Sequence, residues 1–401
     1  MGLPAALFLR IALGLAALPA QTTPPADPAA VLDRELVALR KRSSAVAPGT
    51  PRARDLAREL GRIGEGYLAL GDSGRAIELL EEAYGLDEDN GVVLADLTLA
   101  YVRAENFPFA RFYLELAEQR AARAPAEAYA TLGEVYYALH RVEDAVLAWE
   151  QFERLEGNDP ATLRKLARAR QELSLSRGQR LLRGADFWIY SDEPIPPEMV
   201  ERVSDKLSET YREESAFFET RLDPSQIVIL YAGRSYFSLV SVPEWVAGVF
   251  DGKIRISVDP DSGVTPGLEG VLAHELAHAL IRKASADRAP AWLHEGLAQW
   301  AEGKRLFVRD FREIFSGGHK PVSVADLDAS LARKNDRSTA RANYAEALGL
   351  VEYLIQYRGS GALVCLLADL AEGQAPADAL RRETGLTPAE LVASWRSWAG
   401  L

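Results

Sequence analysis

A short apolar stretch in the second half of the chain contains two histidines and a glutamate at a spacing that suits metal chemistry. His274, Glu275 and His278 spell H-E-x-x-H within residues 271–281, which are otherwise apolar and helix-forming. On an α-helix, side chains four positions apart lie on the same face, one turn apart. Both imidazoles can therefore bind one metal ion, while Glu275 projects beside them towards a water on that ion.

A catalytic zinc ion needs a third protein ligand and one open position. A third histidine six residues after His278, as in metzincins, is excluded because position 284 is alanine. The alternative is a glutamate on the following helix, and Glu295 in W-L-H-E-G-L-A stands 17 residues after His278. The chain has five histidines, so a chance match to H-E-x-x-H is expected on the order of once in a few hundred such chains.

The motifs H-E-L-A-H and W-L-H-E-G-L-A together resemble those of the gluzincin zinc metallopeptidases, specifically the peptidase MA-like group. The resemblance is specific over residues 248–302 and looser over the rest of the C-terminal half. It implies that His274, His278 and Glu295 bind one Zn²⁺ per chain and that Glu275 is the general base. It also implies a metalloprotease, a hydrolase that acts on a peptide or protein substrate.

Elementary zinc chemistry favours the same division of roles. A zinc ion lowers the pKa of a bound water to about 7. A carboxylate that is not itself a ligand can then accept the proton of that water. Glu275, which stands between the two histidines in sequence, is placed to do so.

Several accessory residues are suggested by the same resemblance. Many gluzincins use a Tyr or His from a later helix to stabilise the oxyanion, and Tyr344 is the first candidate, with a core tyrosine as the alternative. His319, in the loop S-G-G-H-K-P, is the second candidate, and an exposed loop histidine is its alternative. His294 stands where relatives commonly have Asn, and Gln299 where many have a carboxylate behind a histidine ligand. Glu302 is the candidate to replace that carboxylate.

The residues around these motifs carry packing predictions. Gly296 is expected to let the H-E-x-x-H helix and the following helix approach closely, with Trp292 and Trp300 packed around the site. The strand at residues 253–258 is either a sheet edge to which an extended peptide adds as an extra strand, or a plain core strand.

Composition describes a globular protein with more than one domain. The 401 residues exceed one ordinary core, and 48% hydrophobic with 26% charged residues is typical of soluble domains. A net charge of −12 without a basic run argues against nucleic acid as a partner. The single cysteine, Cys365, excludes an intramolecular disulfide and a cysteine zinc cluster; its apolar surroundings predict a buried, inert thiol.

The N-terminus reads as a targeting segment. Residues 1–20 are predicted to be a signal peptide, with Ala17 or Ala20 before the cleavage point, and residues 21–30 a proline-rich linker. Arg10 interrupts the apolar run, so no stable membrane span is predicted. These features favour a secreted or periplasmic protein, with a weak N-terminal membrane anchor as the alternative.

Residues 31–178 show a helical pattern that repeats after 34 and then 35 residues. Each repeat has a small residue, a tyrosine three positions later and an alanine nine positions after that. The resemblance is to the tetratricopeptide repeat, in which small residues let paired helices pack closely. It implies an all-α solenoid whose concave face binds a protein partner or substrate; a rigid spacer is the alternative. The matching positions are Gly64, Thr98 and Gly133, then Tyr67, Tyr101 and Tyr136, then Ala76, Ala110 and Ala145.

Residues 184–401 read as an α+β domain, with strands first and helices after them. Strands are predicted at residues 187–192 and 226–232, a D-G turn with a strand follows at 248–259, and helices are predicted at 199–218, 343–357 and 361–372. The sequence therefore predicts a multidomain protein, in which a tetratricopeptide solenoid precedes a zincin-like metallopeptidase domain. The alternatives are a scaffold or binding protein whose metallopeptidase-like domain is weakly active or inactive, and a purely structural zinc site.

Overall fold

A computed structural model describes most of the chain after the N-terminal segment, in two compact units that divide between Arg177 and Gly178. The predicted signal peptide and residues 21–27 of the predicted linker lie outside the described residues, whereas residues 28–30 already belong to the first helix. No helix in the described part of the chain is long and apolar enough to cross a membrane. The described residues are 28–42, 46–120, 125–156, 159–223, 226–234, 236–237, 246–316, 320–333 and 336–401.

The N-terminal unit is helical. Successive helices from α2 to α7 pair as hairpins, α2 with α3, α4 with α5 and α6 with α7. The helices are α1 (Pro28–Arg42), α2 (Pro51–Ala69), α3 (Ser73–Leu86), α4 (Gly91–Arg103), α5 (Phe107–Arg120), α6 (Ala126–Ala138), α7 (Val142–Glu156) and α8 (Pro160–Ser176).

The small residues of the repeat pattern lie where the two helices of a hairpin touch. A Cβ at Gly64 would lie 2.8 Å from Cγ of Leu80, and one at Gly133 would overlap the indole of Trp149. Thr98, at the equivalent position of the middle repeat, is buried and its hydroxyl donates to a carbonyl one turn earlier. Small side chains are therefore required here for close packing, as the spacing predicts, while the assignment to the tetratricopeptide family stays a prediction.

Polar side chains link the first helices of successive hairpins. The Arg103 guanidinium on α4 donates to the Leu68 carbonyl on α2 at 2.6 Å and lies 3.5 Å from the Glu134 carboxylate on α6. Lys165 on α8 forms an ion pair with the same Glu134. These contacts form a charge ladder that crosses α2, α4, α6 and α8.

The C-terminal unit begins with a mixed five-stranded sheet in the order β1-β2-β3-β5-β4. The central pairs β2–β3 and β3–β5 are parallel, and the outer pairs β1–β2 and β4–β5 are antiparallel. The strands are β1 (Arg180–Arg183), β2 (Phe187–Ser191), β3 (Gln226–Ala232), β4 (Gly248–Phe250) and β5 (Ile254–Val258).

The structure decides between the two interpretations of residues 253–258 and excludes an edge strand there. β5 lies between β3 and β4, with Ile256 paired to both Leu230 and Gly248. The reason is the turn at Asp251 and Gly252, where a positive φ of 97° at the glycine folds the chain back as a hairpin. β4 is thus the outermost of the described strands on this side of the sheet.

Nine helices are described in this unit: the first lies between β2 and β3 in the chain, and the others follow β5. They are α9 (Pro197–Phe217), α10 (Pro266–Ala284), α11 (Ala291–Ala301), α12 (Val308–Ser316), α13 (Val324–Leu331), α14 (Arg337–Arg358), α15 (Ser360–Ala371), α16 (Pro376–Thr384) and α17 (Pro388–Ala399).

The helix α10 lies in the core of this unit. Thr265 caps it by accepting a hydrogen bond from the Leu268 amide, and Pro266 occupies its first turn, as is common for helix starts. Every residue from 271 to 281 is buried, because the sheet, α9 and α11 pack on different sides of the helix. The H-E-x-x-H motif therefore lies in the middle of a helix that is surrounded by protein.

The prediction of a buried Cys365 is wrong, because the side chain is exposed. Helix α15 buries Leu363, Leu366, Leu367 and Leu370, which recur at helical spacing on one face. Cys365 lies about 200° around the axis from Leu363 and faces away from the core. The apolar run is thus one amphipathic helix rather than a fully buried segment.

Candidate metal centre

Two adjacent helices bring three potential ligands together. Helix α10 carries His274 and His278, and α11 packs across it and carries Glu295. The Nε2 atoms of the histidines are 3.2 Å apart, and each lies 3.7 Å from Oε2 of Glu295. All three residues are buried.

The geometry and chemistry of this group fit a zinc ion. Four ligands at the usual zinc bond lengths of about 2.0–2.1 Å, arranged as a tetrahedron, lie roughly 3.3–3.4 Å from one another. The observed separations of 3.2 and 3.7 Å bracket that value. The buried Oε2 of Glu295 has no hydrogen-bond partner within the described residues, as expected of an atom that binds a cation. Two imidazole nitrogens and one carboxylate oxygen leave a fourth position open.

A carboxylate supports the first histidine from behind. Nδ1 of His274 lies 3.2 Å from Oε2 of Glu302, and that oxygen lies 2.8 Å from Nζ of Lys304. Burial lowers the pKa of His274, but the neighbouring carboxylates of Glu295 and Glu302 outweigh burial and raise that pKa to about 9. Glu302, named above as the candidate replacement, therefore holds the position that the sequence left undecided, and it orients the ring of His274.

A second imidazole supports the other histidine. Nδ1 of His278 lies 3.2 Å from Nδ1 of His294. If His278 binds a cation through Nε2, its proton is on Nδ1, so it donates to Nδ1 of His294. The position at which relatives commonly have Asn thus carries a hydrogen-bond acceptor of a different kind.

Gln299 does not stand behind a histidine. Its Nε2 donates to the Glu295 carbonyl at 3.0 Å and to the Tyr344 carbonyl at 2.9 Å. The side chain thereby joins α11 to α14.

The prediction for Gly296 is wrong about which helices approach each other. A Cβ at this position would overlap the Ala347 carbonyl oxygen and lie 2.6 Å from Cγ2 of Val351, both on α14. Gly296 lies about 100° around the helix from Glu295, so it turns away from α10. Trp292 is buried nearby, and Trp300 stacks on Phe217 with 4.6 Å between ring centroids.

Glu275 is buried beside the group and is outside the ligand set. Its Oε1 has no hydrogen-bond partner among the described residues. Burial raises the pKa of Glu275 to about 8; the neighbouring Glu295, Glu302 and Asp251 add to this rise and His274 opposes it. Burial therefore makes this carboxyl a stronger base than an exposed glutamate.

The outer strand β4 lies against this carboxyl. A Cβ at Gly248 would lie 2.6 Å from Oε1 of Glu275. Only glycine leaves room for the strand and the glutamate to approach this closely. No motif predicts this role, and the available signal in the sequence is a glycine at the start of a short strand.

Of the two residues predicted to stabilise the oxyanion, the structure describes one. Tyr344 on α14 is buried, and burial raises its pKa well above the usual value, with further contributions from Glu295 and Glu275. Its phenol is therefore protonated and within electrostatic reach of both carboxylates. His319 lies outside the part of the chain that the structure describes.

Comparison with known families agrees with this geometry. Residues 221–400 match the family model described as the Peptidase MA superfamily, and they include β4, α10 and α11. The match supports a zincin-like metallopeptidase in this part of the chain. No curated protein matches the chain.

Proposed function

We propose that the C-terminal unit is a zinc-dependent peptidase. The observation that carries the proposal is the triangle of His274, His278 and Glu295 ligand atoms, with a second carboxyl, Glu275, buried beside it and its Oε1 without a hydrogen-bond partner in the described structure. A closed structural site would use four protein ligands, whereas three potential ligands come together here among the described residues. This donor set is that of a catalytic site.

Each residue has a distinct role in the proposed reaction. A zinc ion held by the three ligands would acidify a water molecule and polarise the carbonyl of the peptide bond. Glu275 accepts the proton of the attacking water and returns it to the amine of the cleaved bond. Burial raises the pKa of Glu275, which makes its carboxylate a stronger base than an exposed one.

Tyr344 is the proposed donor to the developing oxyanion. Because its pKa is raised well above the usual value, the phenol keeps its proton throughout the physiological pH range. A neutral hydroxyl in a buried site stabilises a developing negative charge more strongly than it would in water.

The proposed path of the substrate follows β4. This strand is outermost in the described sheet, so its free side can pair with an extended peptide. Gly248 would place the paired peptide next to Glu275. The proposed edge strand for peptide binding is therefore β4 and not residues 253–258.

The test of the proposal is the Glu275→Gln variant, which keeps the size of the side chain and removes its basicity. We expect the purified variant to bind zinc as wild type does and to hydrolyse a casein substrate at least a hundredfold more slowly. A metal chelator should abolish wild-type activity. Equal hydrolysis by the two proteins at equal zinc content would contradict the proposal and favour a binding or scaffold protein.

For the N-terminal unit we propose a tetratricopeptide array that presents a protein partner or substrate to the peptidase. The close helix packing at Gly64 and Gly133 supports this assignment. We also propose that the protein is secreted or periplasmic, on the strength of the apolar residues 1–20. Fractionation of cells that express the full chain, followed by N-terminal sequencing of the exported form, tests this second proposal.

A further inference from the structure

The helix that carries the third ligand begins without a capping side chain of its own. Pro290 holds the N-cap position of α11 and has no side-chain acceptor for the amides of the first turn. Four other helices of the unit have such an acceptor at the residue before them: Thr265 for α10, Ser323 for α13, Asp336 for α14 and Thr387 for α17.

Another helix supplies the missing cap. Asp328, in the middle of α13, accepts a hydrogen bond from the Trp292 amide in the first turn of α11, at 2.8 Å. Burial raises the pKa of Asp328 to about 6, against hydrogen bonds from the amides of Trp292 and Ala291, so the carboxylate is largely ionised at neutral pH. A negative charge at this end of a helix also interacts favourably with the helix dipole.

The same short helix is fixed to α14. Asn343 on α14 donates from Nδ2 to the hydroxyl of Ser330 on α13 at 2.7 Å. Just before α13, the Val322 amide donates to the Glu346 carboxylate on α14 at 3.0 Å. Asn343 and Glu346 flank Tyr344 in sequence, so the contacts of α13 lie on both sides of the proposed oxyanion donor.

We propose that α13 is a brace that positions the metal centre: Asp328 sets the axial position of α11, and with it Glu295, while Ser330 fixes α14 at Tyr344. The inference rests on the proposed zinc site. Glu295 is three residues after Trp292, which is about 4.5 Å along the helix axis. A shift of the first turn therefore reaches the ligand, and zinc–ligand distances tolerate deviations of only about 0.2 Å.

The first test removes and then restores the cap. Asp328→Ala should weaken zinc binding about tenfold, measured by competition with a chromophoric chelator. Asp328→Asn keeps an oxygen acceptor at the same distance and should bind zinc within about threefold of wild type. Rescue by the amide separates placement of the helix from a general loss of charge.

A matched control is the capping residue of a helix that does not carry a ligand. Thr387 and Glu390 form a capping box at the start of α17, in the same unit. Thr387→Ala should lower the thermal unfolding temperature of the zinc-free protein about as much as Asp328→Ala does, because each variant loses one cap. It should leave zinc affinity unchanged.

The second test concerns the contact between Ser330 on α13 and Asn343 on α14. Ser330→Ala removes the acceptor for Asn343 and should lower kcat several-fold with zinc affinity and KM unchanged, because it affects Tyr344 rather than the ligands. Wild-type kcat in the Ser330→Ala variant would show that Ser330 does not help to position Tyr344.

The outcomes separate this inference from the proposed function. Wild-type protein that binds no zinc contradicts the proposed function itself. Zinc binding by wild type and equally tight binding by Asp328→Ala would overturn the brace alone. If Asp328→Ala does not fold, Asp328→Glu is the second variant: it moves the acceptor by one methylene, and wild-type zinc affinity in that protein would also overturn the inference.

Discussion

The two histidine ligands differ in what holds their second ring nitrogen. His274 faces the Glu302 carboxylate, which is paired with Lys304, whereas His278 faces the ring of His294. A carboxylate behind a ligand raises the electron density of the ring more than an imidazole does. The two ligands are therefore supported by different groups, and the orientation of His278 depends in part on the imidazole of His294.

This dependence gives a prediction for His294. His294→Leu fills similar space but cannot accept a hydrogen bond, so we expect zinc affinity to fall about 10- to 100-fold. His294→Asn, whose side-chain oxygen can accept the Nδ1 proton of His278, should recover most of that loss. Chelator competition measures both variants, and wild-type affinity in His294→Leu would show that His278 needs no such partner.

Local sequence patterns predict individual strands and helices, but not the contacts between them. The strand predicted at residues 226–232 coincides with β3, and the apolar run 271–281 lies inside α10, because side-chain period and capping residues are local signals. The partner of Gly296 and the pairing of β5 were not predictable in this way. They depend on which elements meet in the folded chain, and the sequence near each residue does not encode that.

The residues of the metal centre also differ in whether local sequence predicts them. The ligand types and their spacing along α10 are local, so His274, Glu275 and His278 could be named from the sequence. Asp328 caps a helix that starts 37 residues earlier, and no local pattern connects it to Pro290 or Trp292. Supporting contacts between helices that are distant in sequence are thus the part of the site that local sequence patterns do not predict.

The contact between β4 and α10 gives a prediction at the level of elements. Gly248→Ala would place a methyl group 2.6 Å from Oε1 of Glu275, so the strand or the carboxyl must move. We expect kcat to fall at least tenfold with zinc content unchanged, because a misplaced general base loses most of its effect. Steady-state kinetics and metal analysis of the purified protein measure this.

The control for that variant is Gly267→Ala, in the first turn of α10. A Cβ at Gly267 would meet only Oγ1 of Thr265, at an ordinary contact distance of 3.8 Å. Activity should be unchanged there. If Gly248→Ala is as active as this control, the close approach of β4 has no part in catalysis.

At the scale of the whole molecule, one buried acid makes stability depend on pH. Glu214 on α9 lies on the face that carries Met199, Val203 and Leu207 into the core, and neither carboxyl oxygen has a hydrogen-bond partner in the described structure. Burial raises the pKa of Glu214 well above 4.5, with a smaller contribution from Glu213. The folded protein therefore holds a proton that the unfolded chain releases above pH 4.5.

The sign of the effect follows from that difference. As pH rises above 4.5, the unfolded state loses its proton first, so the free energy of unfolding falls by up to about 1.4 kcal/mol per pH unit until Glu214 ionises in the folded state. Glu214→Met removes this dependence and should be more stable than wild type at pH 8, by more than at pH 5. Urea denaturation at the two pH values tests it, and a constant difference between the proteins would contradict it.

The charge ladder of the N-terminal unit has a consequence for ligand recognition. Arg103 on α4 and Lys165 on α8 share one carboxylate, Glu134 on α6, so the group keeps one net positive charge. A partner carboxylate that docks on this face would compete with Glu134 for the two cations and meet their excess positive charge. Binding of an acidic partner there would therefore weaken as ionic strength rises.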